Sequence, residues 1–166
     1  MIFGLTPFVA FHTVISLVQL VAGIVVVLQL LGGRSSNGWT VLYLVSVAAT
    51  CLTGFALPAP GFLPSHAVGI LSLVLLLVVV LARYRFHLAG AWRWIYAVGI
   101  VITVYFDAFV TVVQTFLKVP AAHSLAPTGA EPPFAITQGI VLLIFVVFGI
   151  VAAIRFRPAA TSYAAS

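Results

Sequence analysis

Three histidines and one glutamate are the residues of this chain best suited to binding a metal ion or a small ligand: His12, His66, His123 and Glu131. Imidazole nitrogens and a carboxylate are a set that suits Zn²⁺ or Cu²⁺. A haem held axially by His12 and His66 is a weaker alternative to a simple transition metal, because no arginine lies near them to balance the propionates. No local motif such as His-x-x-His joins the four residues, so only the fold could bring them together.

Other polar residues recur at helical spacing inside apolar runs. His12, Ser16, Gln19 and Gly23 follow one another at i, i+4, i+7 and i+11, and the run that begins at Asp107 has the same spacing. Each set therefore lies on one face of a helix, and polar faces in lipid turn toward other helices or a wet cavity. The pattern predicts a polar pathway formed by Asp107, Thr111, Gln114, Ser16 and Gln19.

Asp107 is the hardest of these residues to explain as packing. An ionised carboxylate near the middle of a bilayer costs at least several kcal/mol unless it is paired or hydrated. We therefore expect Asp107 to be protonated, hydrogen-bonded to nearby Thr and Gln side chains, or exposed to water.

The composition places the whole chain in a membrane. Of 166 residues, 64% are hydrophobic and only 5% are charged, whereas soluble domains carry about 25% charged residues. The formal net charge is only +5 and is spread between apolar runs, so a nucleic-acid partner is not expected. Cys51 is the single cysteine, which excludes an intramolecular disulfide and a Cys-x-x-Cys redox centre.

Five apolar runs are long enough to cross a bilayer as helices. They predict an all-α bundle that forms one transmembrane domain over residues 1–166, in contact with the lipid bilayer. The first run has no basic segment before it and is too long for a signal peptide. The expected helices cover residues 8–31, 39–57, 65–82, 92–117 and 134–154.

The positive charges predict the orientation. Alternating loops place six arginines on one side and only Lys118 with the amino terminus on the other, and positively charged loops stay cytoplasmic. We expect the N-terminus outside and the C-terminus cytoplasmic, in the inner (plasma) membrane of a bacterium. The arginines that set this topology are Arg34, Arg83, Arg85, Arg93, Arg155 and Arg157.

The loop KVPAAHSLAPTGAEPPF, residues 118–134, is then periplasmic. Its prolines bend the connection and start the last helix, where Glu131 complements the helix dipole. The loop could also fold back and place His123 and Glu131 above His12 and His66, which remains a hypothesis.

Three segments carry a family resemblance: TGFALPAPGFLPSHAVGILSL (53–73), ARYRFHLAGAWRWIY (82–96) and FVTVVQTFLKVPAAHSLAPTGAEPPF (109–134). The chain resembles a family of small bacterial inner-membrane proteins of uncharacterised function. The resemblance implies a membrane fold and brings no activity, substrate or cofactor. Asp107 stands where the family pattern has asparagine, and Gly129-Ala130 stand where it has Gln-Ser.

Four functions remain open: a metal or cofactor site facing the periplasm, transport of a small solute, ion or proton, a structural or assembly role, and a membrane enzyme. We favour a periplasm-facing polar pocket that binds a metal or small ligand and is linked to transport. The alternative is a structural or assembly subunit of a membrane complex, as a homo-oligomer or with a partner membrane protein. An enzyme is disfavoured, because the chain has two acidic residues and no hydrolase, zinc-protease or nucleotide-binding motif.

Overall fold

The structure, a computed structural model, describes residues 6–58, 61 and 64–157. In this part of the chain the regular elements are all helical, which confirms the predicted class, and five helices are long and apolar enough to cross a membrane. The α-helices are α1 (Pro7–Leu31), α2 (Asn37–Phe55), α3 (Pro64–Val80), α4 (Trp92–Lys118), α5 (Pro120–His123) and α6 (Pro132–Arg155).

Proline and a polar cap determine where helices begin. The hydroxyl of Thr6 accepts a hydrogen bond from the amide of Val9, and Pro7 occupies the first turn of α1. Proline suits this position because its missing N–H would have no partner there. The same effect starts α6 at Pro132, two residues before the predicted start at 134.

Two elements differ from the sequence prediction. The third span was expected to end at residue 82, but α3 runs directly into a π-helical turn, Leu81–Arg85, and the span reaches Arg85. The outer connection was expected to be only a bend, but Pro120 begins the short helix α5. Hydrophobicity marks where a span lies, whereas a change from α to π hydrogen bonding leaves no hydropathy signal.

Helices α1 to α4 form a ring in which α1 packs against α2, α2 against α3, α3 against α4, and α4 against α1. Helix α6 lies outside the ring against α4 and α1. Because successive spans alternate in direction, α1 and α3 begin at the same end of the bundle as α5. We call this the loop end, and the opposite end, where α2 and α4 begin, the arginine end.

The ring is tightly packed in only one half. The fully buried apolar residues of α1 and α4 lie between Ala22 and Leu30 and between Tyr96 and Val104, toward the arginine end. Gly99 allows α3 to approach α4 there, because a Cβ at this position would lie 2.8 Å from Cγ2 of Val79. Toward the loop end the same four helices diverge around a cavity.

Candidate functional site

The cavity inside the ring has a volume of about 440 Å³ and is lined by all four helices of the ring. Ser16, Thr50, Ser72 and Gln114 are among its polar lining residues, one from each of α1 to α4. Because the apolar core fills the arginine half of the ring, the cavity lies in the half toward the loop end. Polar and apolar side chains together line it.

Asp107 and Gln19 form the floor of this cavity, at the boundary with the packed core. The amide Nε2 of Gln19 donates a short hydrogen bond to Oδ1 of Asp107. The hydroxyl of Tyr43 donates a longer one, 3.5 Å, to Oδ2. The expected hydrogen bond from a glutamine to Asp107 thus comes from Gln19 on α1. The hydroxyl of Thr111 donates to the backbone carbonyl of Asp107 and not to its carboxylate.

Gly23 explains how Tyr43 reaches this floor. Tyr43 is fully buried on α2, and a Cβ at Gly23 would lie 2.7 Å from Cε2 of its ring. The same Cβ would lie 2.8 Å from Cγ2 of Val104 on α4. The absence of a side chain at Gly23 therefore makes the space through which the Tyr43 ring passes between α1 and α4.

His12 and His66 stand on opposite sides of the C-terminal turn of α2. Nδ1 of His12 lies 2.8 Å from the hydroxyl of Thr53, and a Cβ at Gly54 would lie 3.4 Å from Cε1 of the same imidazole. The ring of His66 faces that of Phe55, with 5.8 Å between centroids. Both histidines line the cavity, so the turn Thr53–Phe55 places them at a similar depth.

The hydroxyls of Ser16 and Thr115, which line the cavity, donate their protons to backbone carbonyls and so can only accept hydrogen bonds from a ligand. Ser16 donates its proton to the carbonyl of His12, and Thr115 donates to the carbonyl of Thr111, at 2.8 Å each. Hydroxyl oxygens that have donated in this way still offer lone pairs to a ligand. Gln114 and Lys118 line the same part of the wall and add donors.

His123 and Glu131, the other two predicted ligands, do not line the cavity. Nδ1 of His123 lies 3.1 Å from the carbonyl of Phe116, beside the end of α4. Glu131 accepts hydrogen bonds from the amide and hydroxyl of Thr128 and from the amide of Ala130. Desolvation opposes the ionisation of Glu131, but these hydrogen bonds outweigh it and lower the pKa of the carboxylate.

The predicted four-residue metal set is therefore not assembled as one group. Within the described residues, which include all four, no three His, Cys, Asp or Glu side chains are placed to hold a metal ion together. The physical reason is the loop: α5 and the Thr128–Glu131 turn give His123 and Glu131 partners of their own. His12 and His66 remain as two imidazoles on one cavity.

The six arginines lie at the arginine end, in or next to the elements that start or finish there. Arg83 in the π-helical turn donates to Ser35 at 3.0 Å and to the hydroxyl of Tyr96 at 3.1 Å, and it also donates to Asn37. Arg93 donates to the carbonyl of Phe156 at 2.9 Å. Arg34, Arg85, Arg155 and Arg157 are exposed.

Sequence reasoning missed Tyr43 at the floor of the cavity. On α2, Ser46, Thr50 and Thr53 form a weak polar stripe at helical spacing, and Tyr43 precedes Ser46 by three residues on the same face. Extending the stripe by one turn would have included it. The signal was hidden because tyrosine in an apolar run is ordinarily a packing residue.

Comparison of this chain with protein-family models, with curated proteins and with solved structures finds no match. The functional conclusion therefore depends on the geometry of the cavity alone.

Proposed function

We propose that this protein is a multi-pass protein of the bacterial inner membrane that binds a small polar solute in the cavity of the α1–α4 ring. The observation that carries the proposal is the cavity itself. In a membrane protein of this composition, a cavity of about 440 Å³ that brings together polar side chains from four helices is unfavourable unless water or a solute occupies it, because unpaired polar groups away from water are costly.

The shape of the cavity favours binding from one side. Its floor closes on Gln19 and Asp107, and the apolar core lies between that floor and the arginine end. With the arginines cytoplasmic, the mouth would face the periplasm. Transport would require the core to part during the cycle, so the described form corresponds to an outward-open state of such a transporter.

The chemistry of the lining favours a polar organic solute over a metal ion. Among the residues that the structure describes, no third His, Cys, Asp or Glu side chain is placed with His12 and His66 to hold a metal ion. By contrast, hydroxyls, amides and the ammonium of Lys118 surround the cavity and can bind both donors and acceptors of a solute. The apolar residues between them would exclude bulk water from the bound molecule.

Thiol labelling tests whether the cavity is open to water. Cys51 is first replaced by Ala, because it lines the cavity, and Ser16→Cys is then introduced. The matched control is Val21→Cys on α1, whose side chain is 57% exposed on the lipid-facing surface. We expect a membrane-impermeant methanethiosulfonate ammonium reagent to modify Ser16→Cys from the periplasmic side and to leave Val21→Cys unmodified.

Protection from that reagent tests binding. Choline, glycine, acetate and Zn²⁺ are supplied separately, as cationic, zwitterionic, anionic and imidazole-binding probes. Binding in the cavity slows modification of Ser16→Cys by at least one probe, and His12→Ala removes the protection. Absence of protection by all four would contradict a binding role. Modification of Ser16→Cys no faster than that of Val21→Cys would favour the structural or assembly subunit instead.

A further inference from the structure

Two residues that line the cavity have buried side-chain oxygen atoms without a hydrogen-bond partner in the protein. Gln19 is 98% buried, since only 2% of its surface is exposed, and its Oε1 is buried without a partner. The hydroxyl oxygen of Thr50 on α2 is in the same condition. Both residues line the cavity, as does Asp107.

Such atoms are rare in folded proteins. Nearly all buried polar atoms have a partner, and one that is left unsatisfied destabilises the folded state. Here two of them, from two helices, lie on the lining of one cavity that also contains a carboxylate. Water or a bound ligand in the cavity would supply the partners that the polypeptide does not.

The orientation of Gln19 points to the nature of the missing partner. Its Nε2 donates to Oδ1 of Asp107, so the carbonyl oxygen Oε1 is the atom of the amide that has no partner. The site thus offers an amide oxygen, a hydroxyl oxygen and a carboxylate. Oxygen ligands of this kind suit hard cations.

Charge selects the valence of the cation. Asp107 is the only acidic residue that lines the cavity, and Gln19 and Tyr43 supply hydrogen bonds to it without any charge. A single carboxylate in a low-dielectric site is neutralised by a monovalent cation, whereas a divalent one would leave an uncompensated positive charge. Lys118 lies eleven residues away at the mouth, about 16 Å along α4, too far to neutralise Asp107.

We propose that Asp107, Gln19 and Thr50 form a binding site for an alkali-metal cation such as Na⁺ at the floor of the cavity. The proposal concerns the same cavity as the polar solute and adds an ion beneath it. A cation there would satisfy both orphan oxygens, balance the carboxylate and join α1, α2 and α4. A solute bound above it would then meet a floor whose charge depends on whether the ion is present.

Binding of radiolabelled ²²Na⁺ to the full-length protein in nanodiscs is the direct test. We expect saturable binding that unlabelled NaCl displaces and choline chloride does not. Asp107→Asn keeps the shape of the side chain while removing its charge, and should weaken binding at least tenfold. Absence of saturable ²²Na⁺ binding, or unchanged binding by Asp107→Asn, would overturn the proposal.

Two pairs of variants separate the site from general effects on folding. Thr50 and Thr40 both lie on α2 with buried hydroxyls that lack partners, but only Thr50 lines the cavity. Gln138 on α6 likewise has a buried, unpartnered Oε1, and lies outside the cavity. Thr50→Val and Gln19→Leu should weaken ²²Na⁺ binding severalfold, whereas Thr40→Val and Gln138→Leu should leave it unchanged.

The Thr50→Val and Thr40→Val comparison also decides the matter if Asp107→Asn does not fold, and equal binding by these two variants would count against the site. The ²²Na⁺ experiment and the thiol-labelling experiment separate failure of the cation site from failure of the solute proposal. Modification of Ser16→Cys with no ²²Na⁺ binding would reject the cation site and keep the solute cavity. A cavity closed to the reagent would reject both.

Discussion

At the scale of single residues, the polar stripe of α1 combines two roles that sequence spacing cannot separate. Gln19 holds the carboxylate of Asp107, while Gly23, one turn further along, makes room for the Tyr43 ring. The first role is chemical and the second is steric. Both are needed for Tyr43 and Gln19 to meet at Asp107.

Gly23→Ala should therefore destabilise the protein. The added methyl group would lie within 2.8 Å of Tyr43 and Val104, and overpacking of this kind costs about 1–3 kcal/mol. The measurement is unfolding in SDS, followed by circular dichroism. Gly139→Ala is the control, because a Cβ there meets nothing within 4 Å; equal stability of the two variants would contradict the packing argument.

At the scale of elements, the π-helical turn after α3 connects neighbouring segments at the arginine end through hydrogen bonds. Its Arg83 donates hydrogen bonds to Ser35 in the loop before α2, to Asn37 at the start of α2 and to Tyr96 on α4. The carbons of this side chain also lie near the Tyr96 ring, with the guanidinium 5.5 Å from its centroid. These contacts stabilise the half of the ring that the cavity does not occupy.

Arg83→Ala should lower the free energy of unfolding by about 2 kcal/mol, since hydrogen bonds from a charged group contribute about 1.5–3 kcal/mol and this one is partly exposed. Arg85→Ala in the same turn is the control, because Arg85 is exposed, and surface substitutions change stability by about 0.5 kcal/mol or less. Comparison of the two SDS unfolding midpoints is the measurement. Similar decreases in the free energy of unfolding in both variants would show that the loss of charge, rather than the loss of the Arg83 hydrogen bonds, is responsible.

The loop before α6 should make stability depend on pH. The pKa of Glu131 is lowered from its ordinary value of 4.5, so its contribution is fully present above pH 4.5 and is lost as the pH falls through the lowered pKa. Glu131→Gln should remove this part of the acid sensitivity. Unfolding midpoints between neutral pH and about pH 3 test this, and a slope shared by Glu131→Gln and the unchanged protein would contradict it.

At the scale of the whole molecule, the charges and the cavity lie at opposite ends. The six arginines are at the arginine end, and the cavity mouth, Lys118, His123 and Glu131 are at the loop end. Since basic loops stay in the cytoplasm, this polarity would direct the mouth toward the periplasm. In the proposed function, the side from which a solute enters would thus be set by arginines that lie outside the cavity.

A fluorescent protein fused after the C-terminus should fluoresce, and alkaline phosphatase at the same position should be inactive, because the first requires the cytoplasm and the second the periplasm. Phosphatase inserted in the loop between α5 and α6 is the matched control and should be active. Active phosphatase at the C-terminus would reverse the orientation, and with it the direction in which the cavity opens.

Most of the fold could be predicted from the sequence, and part of the site could. Hydropathy alone located the five spans, because about 20 apolar residues are needed to cross a bilayer. Helical spacing identified Gln19, Asp107 and Gln114 as inward-facing. It could not reveal that His123 and Glu131 form hydrogen bonds elsewhere, because loop contacts have no period.

The sequence by itself determined that this is a membrane-embedded helical protein whose polar groups face inward. The reason is that polar atoms exposed to a bilayer are costly, so a membrane protein must have an apolar composition and must repeat its polar residues at helical spacing. Only the tertiary structure decided which polar groups meet. Tyr43 reaches Asp107 through the gap at Gly23, Gln19 arrives from α1, and the hydroxyl of Thr50 is left without a partner. These outcomes depend on the rotation and separation of neighbouring helices, which the packing of all side chains together determines.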